Sequence, residues 1–481
     1  MPKKTANSFQ LPNRYFKGNH SVWLLSAAIL VGAFLRFWQL GAWSFWLDEV
    51  FTVLDAQQFS LANFKVNPIP YVAIKLSMSI AGPDEWGSRL IPCITGILSI
   101  PLIFLMGRAL FNARVGVFAA TFLAFSSWHL FWSQNARSYV FTALFGILAA
   151  WSFYLATERD CPLLMLGSLV ATLCLILSHP PSVMFVPALA GYALSFWIPL
   201  PFKPRSGIRP RNLLIFFTPF ALAALLLGLP QFRAYLLSGW GLNEWQRSPV
   251  YILFTLVAGL GVPLAVAAFF ASLSKPMVRA KWFLICFASI PLLLLLIASQ
   301  LVNVAGYYLF FTTPAYLLLA AVACDQLWRA PQISSRLRYL LPCLIVVTML
   351  SQDYLYFRIE NGGRPRWREA FTTIRSGVKE GDRVFVSAPR MSEFYLPEVP
   401  HTNVVAITSN LIEDMLADTD AFEQKWKESN AVWFVIDGGN LNVYDSRERF
   451  RGWVRQRAQL VKTLPVFARA KDLTINVYLW K

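Results

Sequence analysis

The chain is short of charge, and of acid above all. Of its 481 residues only 14% are charged, 26 of them acidic against 43 basic. A soluble chain carries about a quarter charged residues, so the bulk of this one is not a soluble globular protein. The six cysteines, Cys93, Cys161, Cys174, Cys286, Cys324 and Cys343, fall in or beside apolar stretches. They show neither a disulfide framework nor paired zinc-ligand spacing, and read as packing residues. The basic, polar opening leads into a full-length apolar span with no small-residue cleavage site after it, so the first span is expected to stay as an anchor. Acids at mid-membrane and repeated half-chains are also missing. Both would be expected of a transporter.

What is present is hydrophobicity: 56% hydrophobic residues and a mean hydropathy of +0.49. About eleven apolar stretches are long enough to cross a bilayer as helices. They lie near 22–40, 88–107, 115–133, 139–156, 162–178, 182–200, 212–229, 250–272, 282–300, 308–324 and 339–356. The net charge of +17 is a topology signal and points to no nucleic-acid partner. With a cytoplasmic N-terminus, seventeen Lys and Arg fall in cytoplasmic segments and six, Lys65, Lys75, Arg89, Arg137, Arg233 and Arg247, at the outer side. The positive-inside rule fixes that orientation.

The expected fold is therefore a polytopic α-helical membrane protein. It divides into a cytoplasmic tail over 1–21, a membrane domain over 22–356 with its first extracytoplasmic loop at about 41–87, and an extracytoplasmic segment over 357–481. The last segment is near charge balance, with nineteen basic and sixteen acidic residues. Its strand-like runs "DRVFVSAP", "NVVAIT", "AVWFVID" and "TINVYLW" alternate with polar helical patterns, which reads as a small α/β domain. "DGG" at Asp437 reads as a turn after a strand, since no Lys or Ser follows at phosphate-loop spacing.

Five of the nine acids in residues 1–351 lie in the first outer loop: Asp48, Glu49, Asp55, Asp84 and Glu85. An isolated loop acid is ordinarily just solvated. Asp48 and Glu49, however, stand side by side after "WSFW", an aromatic cluster of headgroup depth. The same loop holds "NPIPYVAIKLSMSIAG", including Tyr71, too short and too charged to span and read as an amphipathic helix along the membrane surface. Further aromatic, cationic or histidine groups recur at outer helix ends: Arg137, His179, Trp240, Trp245, Tyr307 and Tyr308. A guanidinium suits a phosphate, a carboxylate suits a proton from an attacking hydroxyl, and aromatics suit sugars or isoprenoids. Lipid-phosphate-linked sugar transfer uses all three. Arg137 and His179 each also have a bland reading, as an interfacial snorkelling arginine and a hydrogen-bonded interfacial histidine.

The stretches "RFWQLGAWSFWLDEVFT", "NPIPYVAIKLSMSIAGPDEWGSRLIPCITG", "SQNARSYV" and "LSHPPSVMF" together resemble the GT-C glycosyltransferases of the protein mannosyltransferase and aminoarabinose transferase type. The resemblance covers about residues 22–190 in sequence and 191–350 by topology. It implies an enzyme of a plasma membrane, a bacterial inner membrane, that moves a sugar from a polyprenyl-phosphate carrier to an extracytoplasmic acceptor (glycan, lipid or protein) with inversion. A surface-polysaccharide polymerase or ligase is the neighbouring alternative. It further implies Asp48 as catalytic base, Glu49 as its helper in positioning base or acceptor, and Arg137, Tyr139 and Arg89 as the donor-phosphate set. Tyr71, Glu85, His179, Tyr307 and Tyr308 would line the acceptor cavity. The chain departs from the family where Asn67-Pro68-Ile69-Pro70 replaces His-Pro-Pro, where Asn135 replaces an acid, and where Tyr307-Tyr308 replaces Arg-Tyr. Two lost polar ligands argue against a bound metal, and no cofactor is expected. Arg233 or Arg247 could stand in for the late arginine.

Overall fold

A computed structural model describes residues 20–60, 67–198, 209–228, 248–334, 336–427, 429–442, 444–469 and 471–481. The expected site positions Arg233, Trp240, Trp245 and Arg247, and most of the N-terminal tail, lie outside the described residues. Among the described residues six helices are long and apolar enough to cross a bilayer, or eight if each bent pair counts as one span. The chain divides into two compact units.

The first unit, Met1–Leu35, Gly96–Ser126 and Phe141–Met349, is helical among its described residues. Helix Ala113–Phe125 packs on Thr313–Arg329, which packs on Val262–Leu273, while Arg279–Ala298 packs on Phe185–Leu194. Close approach rests on glycine where the end of helix Glu85–Leu110 meets the first two of these helices: a Cβ on Gly107 would lie 2.9 Å from Leu318 Cδ2 and 3.0 Å from Gly116 Cα. The stretch read as a single span at 250–272 is broken. Helices Pro249–Leu260 and Val262–Leu273 meet at 102°, because Gly261 takes φ +81° and Pro263 follows without an N–H to continue the ladder. The described acids of this unit are stapled to cations: Glu158 to Arg279 at 2.9 Å, Asp160 to Arg209 at 2.8 Å, and Asp325 to Arg329 at 2.9 Å.

The second unit gathers Arg36–Thr95, Ser127–Val140 and Leu350–Lys481. The segment Arg36–Thr95 holds the end of helix α1 (His20–Phe37), then α2 (Leu47–Gln58), α3 (Pro68–Ala81) and the first turns of α4 (Glu85–Leu110). The surface helix expected in the loop is α3. It starts at a proline, as helices tolerate, and ends at Gly82 with φ +95°. Val72, Leu76 and Ile80 form its exposed apolar stripe, and Ile74, Ser77 and Met78 its buried one.

All four strand-like runs are strands. A five-stranded sheet runs in the order β2 (Val404–Ala406), β1 (Arg383–Val386), β3 (Val432–Asp437), β7 (Ile475–Trp480) and β4 (Gln459–Leu464), and a separate hairpin pairs β5 (Phe467–Ala468) with β6 (Lys471–Asp472). β1 is parallel to both β2 and β3, Phe385 facing Phe434, and β7 is antiparallel to β3 and β4. Every residue of β3 is buried, as a strand covered on both faces must be. Alternate side chains feed two cores. Phe385, Phe434, Ile436 and Tyr478 pack with Ile412, Phe422, Phe450 and Trp453 of helices after β2 and β3. On the other face Val384, Val386, Trp433, Val435 and Val477 pack with Trp367, Phe371 and Met391, and also with Phe45, Val50, Val53 and Ala56 of the outer loop. Residues 357–481 thus do not close their own core: α2 covers part of one sheet face.

Candidate active site

Asp48 and Glu49 occupy the first turn of α2, where the helix N-terminus favours negative charge. Adjacent helical residues diverge by about 100°, so the two carboxylates face opposite environments. Glu49 is fully buried. Its Oε1 accepts from Arg89 Nε and from the Ala136 N–H, both at 2.8 Å, and its Oε2 from Arg89 Nη2 at 2.8 Å and Arg364 Nε at 3.1 Å. Burial alone would raise its carboxyl, but the charges of Arg89 and Arg364 and the donated hydrogen bonds outweigh that and hold it below the ordinary carboxylate range. Asp48 points the other way. Its side chain is 37% exposed and lies 3.6 Å from Nη2 of Arg137, itself 25% exposed. Arg137 also donates Nη1 to the Asp48 carbonyl at 3.1 Å and to Thr52 Oγ1 at 2.7 Å.

The buried base beneath that pair is crowded with cation and aromatic. Besides Glu49, Arg89 donates Nη1 to the carbonyls of Leu40 and Trp43 at 3.0 Å and Nη2 to that of Ser44 at 3.3 Å. All five of its N–H groups are then used. This corrects the reading of Arg89 as a donor-phosphate ligand: with no N–H left over and no exposure, it holds Glu49 and the loop backbone. Glu49, fully buried, likewise presents no surface to an acceptor. Arg364 completes the cluster with bonds to the Gln134 and Gly362 carbonyls, both 2.6 Å, and to Tyr356 Oη at 3.2 Å. Its guanidinium stands 5.1 Å from the Phe131 ring and 5.8 Å from that of Trp43. Burial would lower its pKa, but Tyr356 and Glu49 keep it raised.

Glu85, expected to line the cavity, is a second buried tie. Its Oε1 accepts from Tyr395 Oη at 2.7 Å and from Arg368, whose Nη2 is 2.6 Å away; Tyr395 Oη in turn accepts the Phe45 N–H at 2.7 Å. Burial and the neighbouring Glu85 push the Tyr395 phenol well above its ordinary value. Tyr139 is buried, its ring centroid 4.1 Å from that of Trp132, and Tyr71 stacks on Phe59 at 5.9 Å. Asn135 accepts from Trp46 Nε1 at 3.3 Å, and Asn67 precedes the first turn of α3. His179, Tyr308 and Tyr307 come together in the first unit, with centroids 5.0 Å and 5.4 Å apart in succession.

Several residues of the cluster escaped the sequence reading. Arg364, Arg368 and Tyr395 carried no local signal. Arg36 is fully buried and donates Nη2 to His129 Nδ1 at 2.9 Å. Asp353, near the C-terminal end of Leu337–Arg358, is buried within electrostatic reach of Arg36. An ionisable side chain inside an apolar helix is a signal the sequence did offer. Among the described residues no three His, Cys, Asp or Glu side chains gather in a way that could hold a metal ion.

The family model of dolichyl-phosphate-mannose-protein mannosyltransferases matches residues 65–203. No curated protein matches the chain in sequence. Among solved structures, ArnT from Cupriavidus metallidurans in the apo state is similar over 96% of this chain and 98% of its own, at 15% identity and a TM-score of 0.55. ArnT bound to undecaprenyl phosphate gives the same coverage at 16% identity and 0.53. The archaeal oligosaccharyltransferase AglB from Archaeoglobus fulgidus, in complex with an inhibitory peptide and a dolichol-phosphate, is similar over 88% of this chain and 70% of its own, at 15% identity and 0.55. The likeness to these solved structures is one of fold, and the match to the mannosyltransferase family model lies within the stretch that carried the sequence resemblance.

Proposed function

We propose that this chain, with its GT-C glycosyltransferase fold, transfers a sugar from a polyprenyl-phosphate carrier to an acceptor hydroxyl on the extracytoplasmic side of a bacterial inner membrane. The observation that carries the reading is the Asp48–Arg137 pair, partly exposed above a fully buried Glu49–Arg89–Arg364 base. The capture of ArnT with undecaprenyl phosphate and of AglB with a dolichol-phosphate supports a carrier of that chemistry.

In the proposed reaction Asp48 takes the proton of the acceptor hydroxyl as its oxygen attacks the anomeric carbon. The bond from that carbon to the carrier phosphate breaks, and the phosphate leaves with the electron pair. Arg137 neutralises the charge that grows there. Attack from the side opposite the phosphate inverts the anomeric centre. Tyr139, two residues on from Arg137, shapes the wall beside it. No resident divalent cation takes part in this reading, which rests on Asn67 and Asn135 standing where the family resemblance implies metal-competent side chains. Purified chain should therefore transfer sugar from a synthetic polyprenyl-phosphate donor after chelator treatment, and should not use a nucleotide-sugar. Arg137→Ala should weaken donor binding and turnover together, by about 10²-fold in kcat/KM. Activity restored only by added metal, or full activity of Arg137→Ala, would remove this reading.

The topology that accompanies this function has about eleven crossings, a cytoplasmic N-terminus and the sheet outside. A cysteine introduced at Ser409 should react with an impermeant reagent in intact spheroplasts, and one at Ser206 should not. The reverse pattern would turn the site toward the cytoplasm and its nucleotide-sugars.

A further inference from the structure

Asp48 stands on one edge of α2 with its side chain 37% exposed. The next turn presents Phe51, 40% exposed although it is a large aromatic on the helix that carries the pair. Over its ring stands a cation: Arg390 places its guanidinium carbon 5.7 Å from the Phe51 centroid. Arg390 is 43% exposed and gives one Nη1 contact to Glu393 at 2.7 Å. It belongs to the short helix Pro389–Tyr395, which packs directly on α2.

The sheet explains why that helix starts there. β1 lies between β2 and β3, parallel to both, so the chain leaves the carboxyl end of β1 at a point where strand order reverses. In open α/β sheets ligands bind outside the carboxyl ends at such a switch point. Here the helix that follows β1 carries Arg390 to the exposed edge of α2, one helical turn from Asp48. An aromatic face suits the ring of a sugar, and a half-exposed guanidinium beside it suits an anion.

We infer that Phe51 and Arg390 form the acceptor-reading surface, and that the acceptor is a sugar bearing an anionic group, phosphate or carboxylate, next to the hydroxyl that attacks. This deepens the proposed transfer reaction and rests on Asp48 being its base. Phe51 holds the sugar face, Arg390 holds the anion, and together they bring the hydroxyl to Asp48. Residues 357–481 then select the acceptor through Arg390.

The test uses purified full-length chain and three soluble probes: an alkyl glucoside, the same glucoside carrying a 6-phosphate, and the matching glucuronide. Binding is followed by tryptophan fluorescence. Wild-type chain should bind both anionic probes about tenfold tighter than the neutral one, the worth of one charge-assisted hydrogen bond. Arg390→Ala should abolish that preference, Arg390→Lys should keep part of it, and Phe51→Ala should weaken all three probes alike. Binding of a polyprenyl phosphate, measured separately, should be unchanged in each variant. Equal or absent binding of the probes by wild-type chain would overturn the inference. So would a preference that survives Arg390→Ala but vanishes in Arg137→Ala, which would mean the anion occupies the donor-phosphate position. Loss of carrier binding by wild-type chain would instead sink the transferase reading itself.

Discussion

Replacement of Asp48 by Asn should lower sugar transfer by about 10²–10⁴-fold, the range for loss of a positioned general base, and leave folding intact. The amide keeps the size of the carboxylate and an oxygen for Arg137, but it cannot take a proton. The stability effect should be small because Asp48 is 37% exposed and 3.6 Å from Arg137; an exposed pair of that kind is worth about 0–1 kcal/mol. Carrier binding should survive as well. The pairing of a collapsed rate with an unchanged melting temperature is what separates a base from a structural acid. A variant that folds, binds carrier and transfers at close to the wild-type rate would leave Asp48 an interfacial carboxylate.

That contrast between neighbours was only half legible beforehand. Two acids in "FWLDEVFT" stood out because the chain is so poor in acid, and Asp48 on α2 and Arg137 in the bend before helix Tyr139–Arg159 do meet. Which carboxylate turned inward was not readable, because the partners that decide it are distant in sequence: Arg364 lies 315 residues from Glu49, and Tyr395 lies 310 from Glu85. Arg89 looked like a phosphate ligand by its position at the head of an apolar helix. Nothing local revealed that three loop carbonyls and Glu49 would use all its donors.

The strands of the last segment were legible as short apolar runs between polar ones, since each strand buries its own side chains. The boundary at 357 was not, because α2 packs into the core of the same sheet, and a face closed by another part of the chain leaves no mark in the segment it covers. The broken span at Gly261 did leave a mark, in the sequence Gly261-Val262-Pro263, and hydropathy averaged over a whole span hides such a break.

Glu49→Gln should behave in the opposite way to Asp48→Asn. One carboxylate faces two guanidinium groups, Arg89 at 2.8 Å and Arg364 at 3.1 Å, all with fully buried side chains. The amide removes the only negative charge of that set and directs N–H donors at groups that are themselves donors. Breaking a buried charge cluster by removing one partner costs about 3–5 kcal/mol, so the variant should melt well below wild type in detergent. Its transfer rate should fall as well, because Glu49 anchors Ala136, the residue before Arg137. The pH dependence carries a second signature. The folded carboxyl titrates below its unfolded value, which is about 4.3. Its contribution is therefore fully present above that value and is lost as pH falls through the lower, folded one. Wild-type stability should decline over that acidic window with a component that Glu49→Gln lacks. A variant that melts with wild type and shows the same acid limb would mean that Arg89 and Arg364 are held by their backbone carbonyls alone, and that the surface beneath Asp48 does not depend on its neighbour.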